Sequence, residues 1–391
     1  MKRILFTLLI LQLYCIAFGQ TDTTFWFAAP DNDVVNNPTY GQYDRPIYLR
    51  ISTYSSVANV TISIPANSGF IPITLSIPAN STSSINLTPS INLIENFNAN
   101  TIENKGILIV SSANISVYYE VNSSSCQCNP ELFSLKGKNA LGIDFIIPSQ
   151  TTWSLDTIRH PDPRAAFDIV ATENNTSITI TPSKPLVGRP ANIPFTINLN
   201  RGQTFSCQGL YKNESNLLNG SKVVSDKPIS VTSKEDLSFA DGPCADLAGD
   251  QLIPSSVMGK EFAIVRGNLT PRDKVIISAI QNNTNIYFDG SSTPITTINV
   301  GQSFEYDITS TLSLYIVADK TVNVLHYTGT GCELGSAVIP KLDCTGSNSV
   351  ALVRSNPGNA ILLLVTKNGN QGNFLVNGAS GIISASDFSV L

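Results

Sequence analysis

An eight-residue pattern that occurs three times along the chain constrains its fold more than any other feature. The copies lie at residues 110–117, 224–231 and 317–324, roughly 100 residues apart. In each copy, β-branched residues flank a short polar centre, such as Ser-Asp-Lys-Pro at 225–228. This composition predicts two strands joined by a tight turn. A hairpin that returns at a long, loosely kept period indicates a repeat protein.

Other short motifs recur in the same order around this hairpin. A glycine stands three positions before a phenylalanine in Gly-Ile-Asp-Phe at 142–145 and again in Gly-Lys-Glu-Phe at 259–262. Asn-rich turns follow at 173–175 and 281–283, between segments rich in β-branched residues. We therefore predict one repeated all-β region over residues 20–391. Its units are expected at about 24–141, 142–258 and 259–347, with a truncated fourth unit at 348–391.

Each unit offers about eight short strands, which leaves two architectures open. Two four-stranded antiparallel meanders per unit would build a β-propeller, and this interpretation is favoured because sequential strands usually pair. The alternative is a tandem array in which each unit is one β-sandwich. No linker rich in Pro, Gly or Ser separates the units, so we expect them to pack on one another.

The first 19 residues have the pattern of a secretory signal peptide. Met1-Lys2-Arg3 precedes an apolar run that ends at Phe18, and the run is too short for a membrane span. The protein is therefore expected outside the cell, either secreted or at the cell surface. A net charge of −5 without any basic run argues against nucleic-acid partners and membrane insertion.

Three segments resemble a known family. Residues 166–181, 218–231 and 250–262 are similar to the repeated strand and turn patterns of the N-terminal domain family of the IgG Fc-binding mucus protein. The resemblance runs from about Thr24 to about Leu342. It implies an extracellular binding or adhesion module that is not an enzyme. No cofactor is expected. It does not imply that this chain binds immunoglobulin.

Six of the seven cysteines remain once Cys15 is removed with the signal peptide. An even number in an exported protein predicts disulfides rather than a metal site, since neither Cys-x-x-Cys pairs nor nearby histidines occur. Six cysteines allow 15 pairings, so the connectivity stays open. The pairs expected within units are Cys207 with Cys244 and Cys332 with Cys344. The other two, Cys126 and Cys128, lie like Cys244 and Cys332 in a loop after the repeated hairpin.

Five acidic residues are concentrated in the segment 234–250. They are Glu235, Asp236, Asp241, Asp246 and Asp250. Their spacing matches no known calcium loop, so we expect a solvated acidic loop, with calcium binding as the alternative.

The sequence predicts that function lies in the loops after each repeated hairpin, at 122–131, 234–250 and 329–335. Loops on a rigid scaffold are where recognition is usually found, and the expected ligand is an extracellular glycan or glycoprotein. A secreted carbohydrate-active hydrolase is the first alternative, because its two catalytic carboxylates leave no linear motif. A structural spacer within a longer surface protein is the second.

Overall fold

The computed structural model describes residues 21–32, 45–122, 130–158, 163–343, 349–351 and 362–389. Strands dominate these residues, and within them the α-helix is limited to a single turn, α1 (Ile91–Ile94). The all-β fold predicted from the sequence is confirmed. The predicted signal peptide, residues 1–19, lies outside the described residues.

Three large sheets of seven, eight and eight strands follow one another along the chain. The strands of the first part are β1 (Asp22–Phe27), β2 (Ala29–Pro30), β3 (Ile47–Thr53), β4 (Ala58–Ser63), β5 (Ile73–Ile77), β6 (Thr82–Asn86), β7 (Glu95–Asn96), β8 (Ile102–Glu103), β9 (Ile107–Val121) and β10 (Glu131–Leu135). Those of the second are β11 (Gly142–Ile146), β12 (Ala165–Ala171), β13 (Thr176–Thr181), β14 (Phe195–Leu199), β15 (Thr204–Gln208), β16 (Lys222–Ser238) and β17 (Asp246–Gln251). Those of the third are β18 (Gly259–Val265), β19 (Asn268–Leu269), β20 (Asp273–Ala279), β21 (Thr284–Phe288), β22 (Thr296–Ile298), β23 (Ser303–Ile308), β24 (Ser313–Gly331) and β25 (Glu333–Val338). A small hairpin, β26 (Leu375–Val376) and β27 (Ala379–Ser380), follows near the C-terminal end.

One long strand organises each sheet. These strands are β9, β16 and β24, with 15, 17 and 19 residues. The first half of β9 pairs with β1 and β4, whereas its second half pairs with β3 and β10. β16 and β24 divide their partners in the same way. Each long strand therefore passes from one layer to the other of a two-layer β-sandwich, and buried apolar side chains form the core of each unit.

The repeated eight-residue pattern is not a hairpin, which corrects the sequence-based prediction. Residues 224–231 stay within β16, and Gly142 and Asp144 of β11 lie opposite Ile229 and Val224. An advance of two residues along β11 therefore corresponds to an advance of five along β16. The extra residues of β16, at the polar centre of the pattern, form a β-bulge. The same register shift occurs between β18 and β24. A bulge bends a strand sharply, and this bend carries the long strand from one layer to the other.

A lysine in the bulge binds the turn that connects the two layers of the sandwich. Lys320 Nζ donates to the carbonyl oxygens of Asn282 and Asn283 at 2.6 and 2.8 Å. Lys227 does the same in the second unit, with Asn174 and Asn175 at 2.5 and 3.1 Å. The Asp-Lys step of the repeated pattern and the Asn-Asn turn therefore contact each other in both units.

The division of each unit into two sequential four-stranded meanders, and with it the propeller, is wrong. β12 and β13 flank one Asn turn, yet both pair with β16 and not with each other. Asn175 and Asn283 have positive φ angles of 53° and 54°, as tight turns require. These turns, however, lead from one layer of the sandwich to the other. The alternative of one β-sandwich per unit describes the observed pairing.

The glycines of the repeated Gly-x-x-Phe motif allow a close approach between segments. A Cβ atom on Gly142 would lie 2.3 Å from Cβ of Pro254. A Cβ atom on Gly259 would lie 2.3 Å from Cβ of Lys341. In both units, the segment that follows the last strand therefore crosses the first strand at the glycine.

Neighbouring units share buried contacts. Trp26 and Leu108 of the first unit pack with Val170 of the second. Trp153 of the second unit meets Tyr327 of the third edge-on, with ring centroids 5.8 Å apart. In addition, the last strands of the three units, β10, β17 and β25, lie against one another. This three-strand junction positions most of the residues discussed below.

Candidate functional site

At the three-strand junction, carboxylates of the first two units bind the free backbone edge of β25. Amide groups of alternate residues donate in the order Leu334 to Asp246 at 2.8 Å, Ser336 to Glu131 at 3.3 Å, and Val338 to Asp250 at 2.8 Å. An edge strand exposes unpaired N–H groups, and buried donors without partners are costly. The side chains therefore replace the strand that would otherwise extend this sheet.

The prediction of a solvated acidic loop is wrong for four of its five members. Glu235, Asp236, Asp246 and Asp250 are at most 4% exposed, because the first two lie in β16 and the last two in β17. Asp241, at the tip between these strands, is exposed. The segment folds as a hairpin whose strands are covered by neighbouring units, so its acids face protein rather than water.

Glu235 connects the second unit to the third. Its carboxylate accepts hydrogen bonds from Ser149 Oγ at 2.5 Å, Gln150 Nε2 at 3.0 Å and the Tyr327 hydroxyl at 2.8 Å. Burial raises the pKa of Glu235, although these donors act in the opposite direction. Burial also raises the pKa of Tyr327 well above its usual range, and the Glu235 charge adds to this effect.

A small cavity lies beside Glu235. It is lined by Lys234, Tyr327 and Ser336 among others, and its volume is about 10 Å3. This is at the lower limit for one water molecule. The acid in this cavity therefore has no room for a sugar ring beside it.

Lys136 and Asp250 form a buried ion pair between the first and second units. Lys136 Nζ lies 2.7 Å from Asp250 Oδ1, and the two side chains are 7% and 3% exposed. Burial lowers the pKa of Lys136, which the Asp250 charge only partly offsets. Burial likewise raises the pKa of Asp250 despite the Lys136 charge. Both shifts favour the neutral forms of the pair.

Glu131 is central to the junction, although the sequence predicts it only as the last residue of the loop 122–131. Its carboxylate accepts from the amides of Leu132 at 2.8 Å, Gly249 at 3.3 Å and Ser336 at 3.3 Å. Burial raises the pKa of Glu131 well above its usual range. The one signal for it in the sequence is an acidic residue at the start of a strand, a position that Asp246 and Glu333 also occupy.

A second buried polar cluster lies in the second unit, where carboxylates of the first unit also act on it electrostatically. Asp168, in the middle of β12, is 1% exposed. Burial raises its pKa to about 7, although the Ser206 hydroxyl and the Lys234 charge favour the carboxylate. Burial would lower the pKa of Lys234, but Asp236, whose Oδ2 lies 3.7 Å from Lys234 Nζ, outweighs it together with other carboxylates, so that this pKa is raised. The sequence signal for this cluster is Asp168 itself, a charged residue within the otherwise apolar β12 segment.

The disulfide connectivity differs from the expected one. Cys244 bonds to Cys332, with Cα atoms 5.5 Å apart, and so links the tips of the second and third units. Cys207 is a free, buried cysteine in β15. The predicted pairs Cys207–Cys244 and Cys332–Cys344 are therefore wrong, because the packing of the units brings the two tips together. Cys126, Cys128 and Cys344 lie outside the described residues.

The two tips joined by this disulfide form the exposed part of the predicted loops. We call them the linked tips: residues 239–245 between β16 and β17, and residues 329–333, where β24 ends and β25 begins. Arg272 lies beside them, with its guanidinium 3.0 Å from Asp241 and 2.9 Å from Asp307. The linked tips and Arg272 therefore present both hydrogen-bond donors and acceptors, and the disulfide holds the two tips together.

Groups that can bind a metal ion also occur at the linked tips. The two sulfurs of Cys244 and Cys332 and a carboxylate oxygen of Glu333 lie within 4.8 Å of one another. Both sulfurs are engaged in the disulfide. In the part of the chain that the structure describes, the five acids of 234–250 are not gathered around one point.

No helix among the described residues is long and apolar enough to cross a membrane. No curated protein matches the chain. The family profile of the IgGFc binding protein matches residues 132–390, about two thirds of the chain. The first sandwich lies almost entirely outside this match, which begins in β10 and extends beyond the third sandwich. The chain belongs to the IgGFc binding protein family.

Proposed function

We propose that this protein is a secreted or surface-displayed binding module whose linked tips recognise an extracellular glycan or glycoprotein. Membership of a family of binding proteins supports the general class. The family name refers to immunoglobulin Fc, but the ligand proposed for this chain rests on the chemistry of its own tips.

The observation that carries the proposal is the covalent union of two exposed loops from different units. The Cys244–Cys332 bond joins segments 88 residues apart in sequence. A braced pair of loops loses little conformational entropy on binding, which favours affinity. Of the loops predicted from the sequence, 234–250 contributes only its tip and 329–335 contributes its first five residues. Most of 122–131 lies outside the described residues.

The side chains at the linked tips suit a ligand rich in hydroxyl groups. Arg272 is 26% exposed and bridges two carboxylates, those of Asp241 and Asp307. A guanidinium donates several hydrogen bonds in a fixed plane, and carboxylates accept them. Neighbouring hydroxyls of a sugar require this combination of donors and acceptors.

A glycan and mucin array, probed with the full oxidised chain, tests the proposal. We expect saturable binding that falls about tenfold, or about 1.4 kcal/mol, in Arg272→Ala. Arg201→Ala serves as the matched control, because Arg201 is an exposed arginine in the β14–β15 turn and should leave binding unchanged. Equal binding by both variants would overturn the assignment to the linked tips. Absence of binding to every ligand would favour a structural spacer.

The hydrolase alternative requires two carboxylates beside a space that admits a sugar. Glu235 has the raised pKa expected of a catalytic acid, but its carboxylate is bound by three side chains and its cavity holds about one water. The buried acids of the junction therefore support a role in joining the units rather than in hydrolysis.

A further inference from the structure

The buried pair of Lys136 and Asp250 has the arrangement of two groups ready to react with each other. Lys136 Nζ lies 2.7 Å from Asp250 Oδ1, which is hydrogen-bond contact. Backbone amides hold the carboxylate on both sides: Gln251 N donates to Oδ1 and Val338 N donates to Oδ2, each at 2.8 Å. The Ser134 carbonyl accepts from the amine at 3.0 Å. Both reacting groups are thus fixed in place by parts of three units.

We propose that Lys136 and Asp250 condense into an amide bond that joins the first unit to the second. This cross-link would be an internal modification of the folded chain, formed without an enzyme or a cofactor. It does not depend on the proposed function of the linked tips.

The reaction balances within the pair. The ammonium group first passes one proton to Asp250 Oδ1, which gives a neutral amine and a carboxylic acid. Nζ then attacks Cγ, and the new N–C bond forms as a second proton moves from Nζ to Oδ1. The C–Oδ1 bond breaks and that oxygen leaves as water. One hydrogen stays on the amide nitrogen, so an ammonium and a carboxylate yield an amide and one water.

The location weakens the two usual obstacles to this condensation. In water an amine is protonated and a carboxyl is ionised, so neither is reactive. Burial favours the neutral form of each partner here, lowering the pKa of Lys136 and raising that of Asp250. Fixed contact between reacting groups replaces an encounter in solution, which is a large kinetic advantage.

Two other buried lysines among the described residues, Lys234 and Lys274, lack this combination. Lys234 Nζ lies 3.7 Å from Asp236, and surrounding carboxylates raise its pKa, so it stays an unreactive ammonium. Lys274 contacts Asp307 at 2.6 Å, but that carboxylate is 33% exposed and remains hydrated. These two pairs provide internal controls.

Mass spectrometry of the reduced, denatured full chain tests the proposal. We expect a mass one water below that of the unmodified sequence. A protease digest should contain one branched peptide that includes both Lys136 and Asp250, with no tryptic cleavage after Lys136. The pairs of Lys234 and Lys274 should give ordinary linear peptides.

The variant Lys136→Arg keeps the ion pair but lacks the nucleophilic amine, so it should show the full unmodified mass. Aspartimide at an Asp-Gly step also removes one water, but it opens in mild base whereas an amide does not. Wild-type protein with the full mass, or a water loss that Lys136→Arg retains or mild base reverses, would overturn the proposal.

Discussion

At the scale of single residues, buried charge is the unusual property of this protein. Glu131, Asp250 and Glu235 are each enclosed between units, and each satisfies polar groups of a unit other than its own. Ionised groups are costly to bury unless they are bonded. These residues therefore specify how the sandwiches fit together more than they add to the stability of any one sandwich.

The pH dependence of folding should report on Asp168. Its pKa rises from 3.8 to about 7 on folding, so between these values the folded state binds a proton that the unfolded state has lost. Stability should therefore fall as the pH rises from about 4 to about 7. We expect Asp168→Asn, measured by urea unfolding, to match wild type near pH 4 and to exceed it at pH 8 by up to about 4 kcal/mol.

The control for this measurement is Asp387→Asn, a change at an exposed aspartate near the C-terminal end. It should leave the pH dependence of unfolding as in wild type. If the stability difference between Asp168→Asn and wild type does not change with pH, the assignment to Asp168 is wrong.

Removal of the Glu131 carboxylate should lower the free energy of unfolding, because the amides that it accepts from lose their partner. Glu131→Ala leaves the amides of Gly249 and Ser336 without an acceptor, and we expect a loss of about 3 kcal/mol in the free energy of unfolding. Glu131→Gln retains an acceptor oxygen and should lose about 1 kcal/mol or less. Leu132→Ala, at an exposed neighbour in the same strand, is the control. Equal stability of Glu131→Ala and Leu132→Ala would contradict this role.

At the scale of strands and turns, the sequence identifies the pieces well and their pairing poorly. The alternation of β-branched and polar residues predicts the strands, and Asn175 and Asn283 do occupy tight turns. Periodicity cannot tell whether a turn returns along the same layer or crosses to the other, because both need the same backbone angles. The bulge at 225–228 carries turn residues for the same reason, since Asp, Lys and Pro suit either structure.

Long-range contacts explain why the candidate site was only partly predicted. The exposed tips at 241 and 332 follow from their loop composition. The burial of Asp246 and Asp250 depends on amides of Leu334 and Val338, each 88 residues away. No local pattern in the sequence records such a partner.

The contact between bulge and turn can be tested at Lys320. Lys320→Ala removes two hydrogen bonds to the Asn282–Asn283 turn, and we expect a loss of about 1 kcal/mol, because the site is exposed to water. Lys367→Ala, an exposed lysine beyond the third sandwich, is the matched control for thermal unfolding. A Lys320→Ala melting temperature equal to that of the control would show that the contact adds nothing.

At the scale of the whole molecule, three sandwiches are joined by more than their connecting chain. Carboxylates from two units bind the edge of the third, Trp153 meets Tyr327, and a disulfide spans the second and third units. The absence of Pro-, Gly- or Ser-rich linkers in the sequence predicts such packing. The arrangement of the units therefore behaves as part of the fold.

The disulfide should contribute strongly to the stability of the last two units. Cross-linking residues 88 apart restricts the unfolded chain, with an expected effect of up to about 4 kcal/mol. We expect the double variant Cys244→Ser, Cys332→Ser to melt at a lower temperature than oxidised wild type. A reducing agent should lower the wild-type melting temperature to that of the variant and leave the variant unchanged. Equal melting of oxidised wild type and variant would contradict this expectation.

The position of the Cys244–Cys332 bond also decides how the protein responds to mechanical pulling along its backbone. Tension that enters at one sulfur leaves at the other, so the segment between them, which spans a sequence separation of 88, carries no load. At about 3.4 Å per extended residue, roughly 300 Å of chain is withheld from stretching. The third sandwich, nearly all of which lies inside this loop, would keep its fold while the rest of the chain is drawn out.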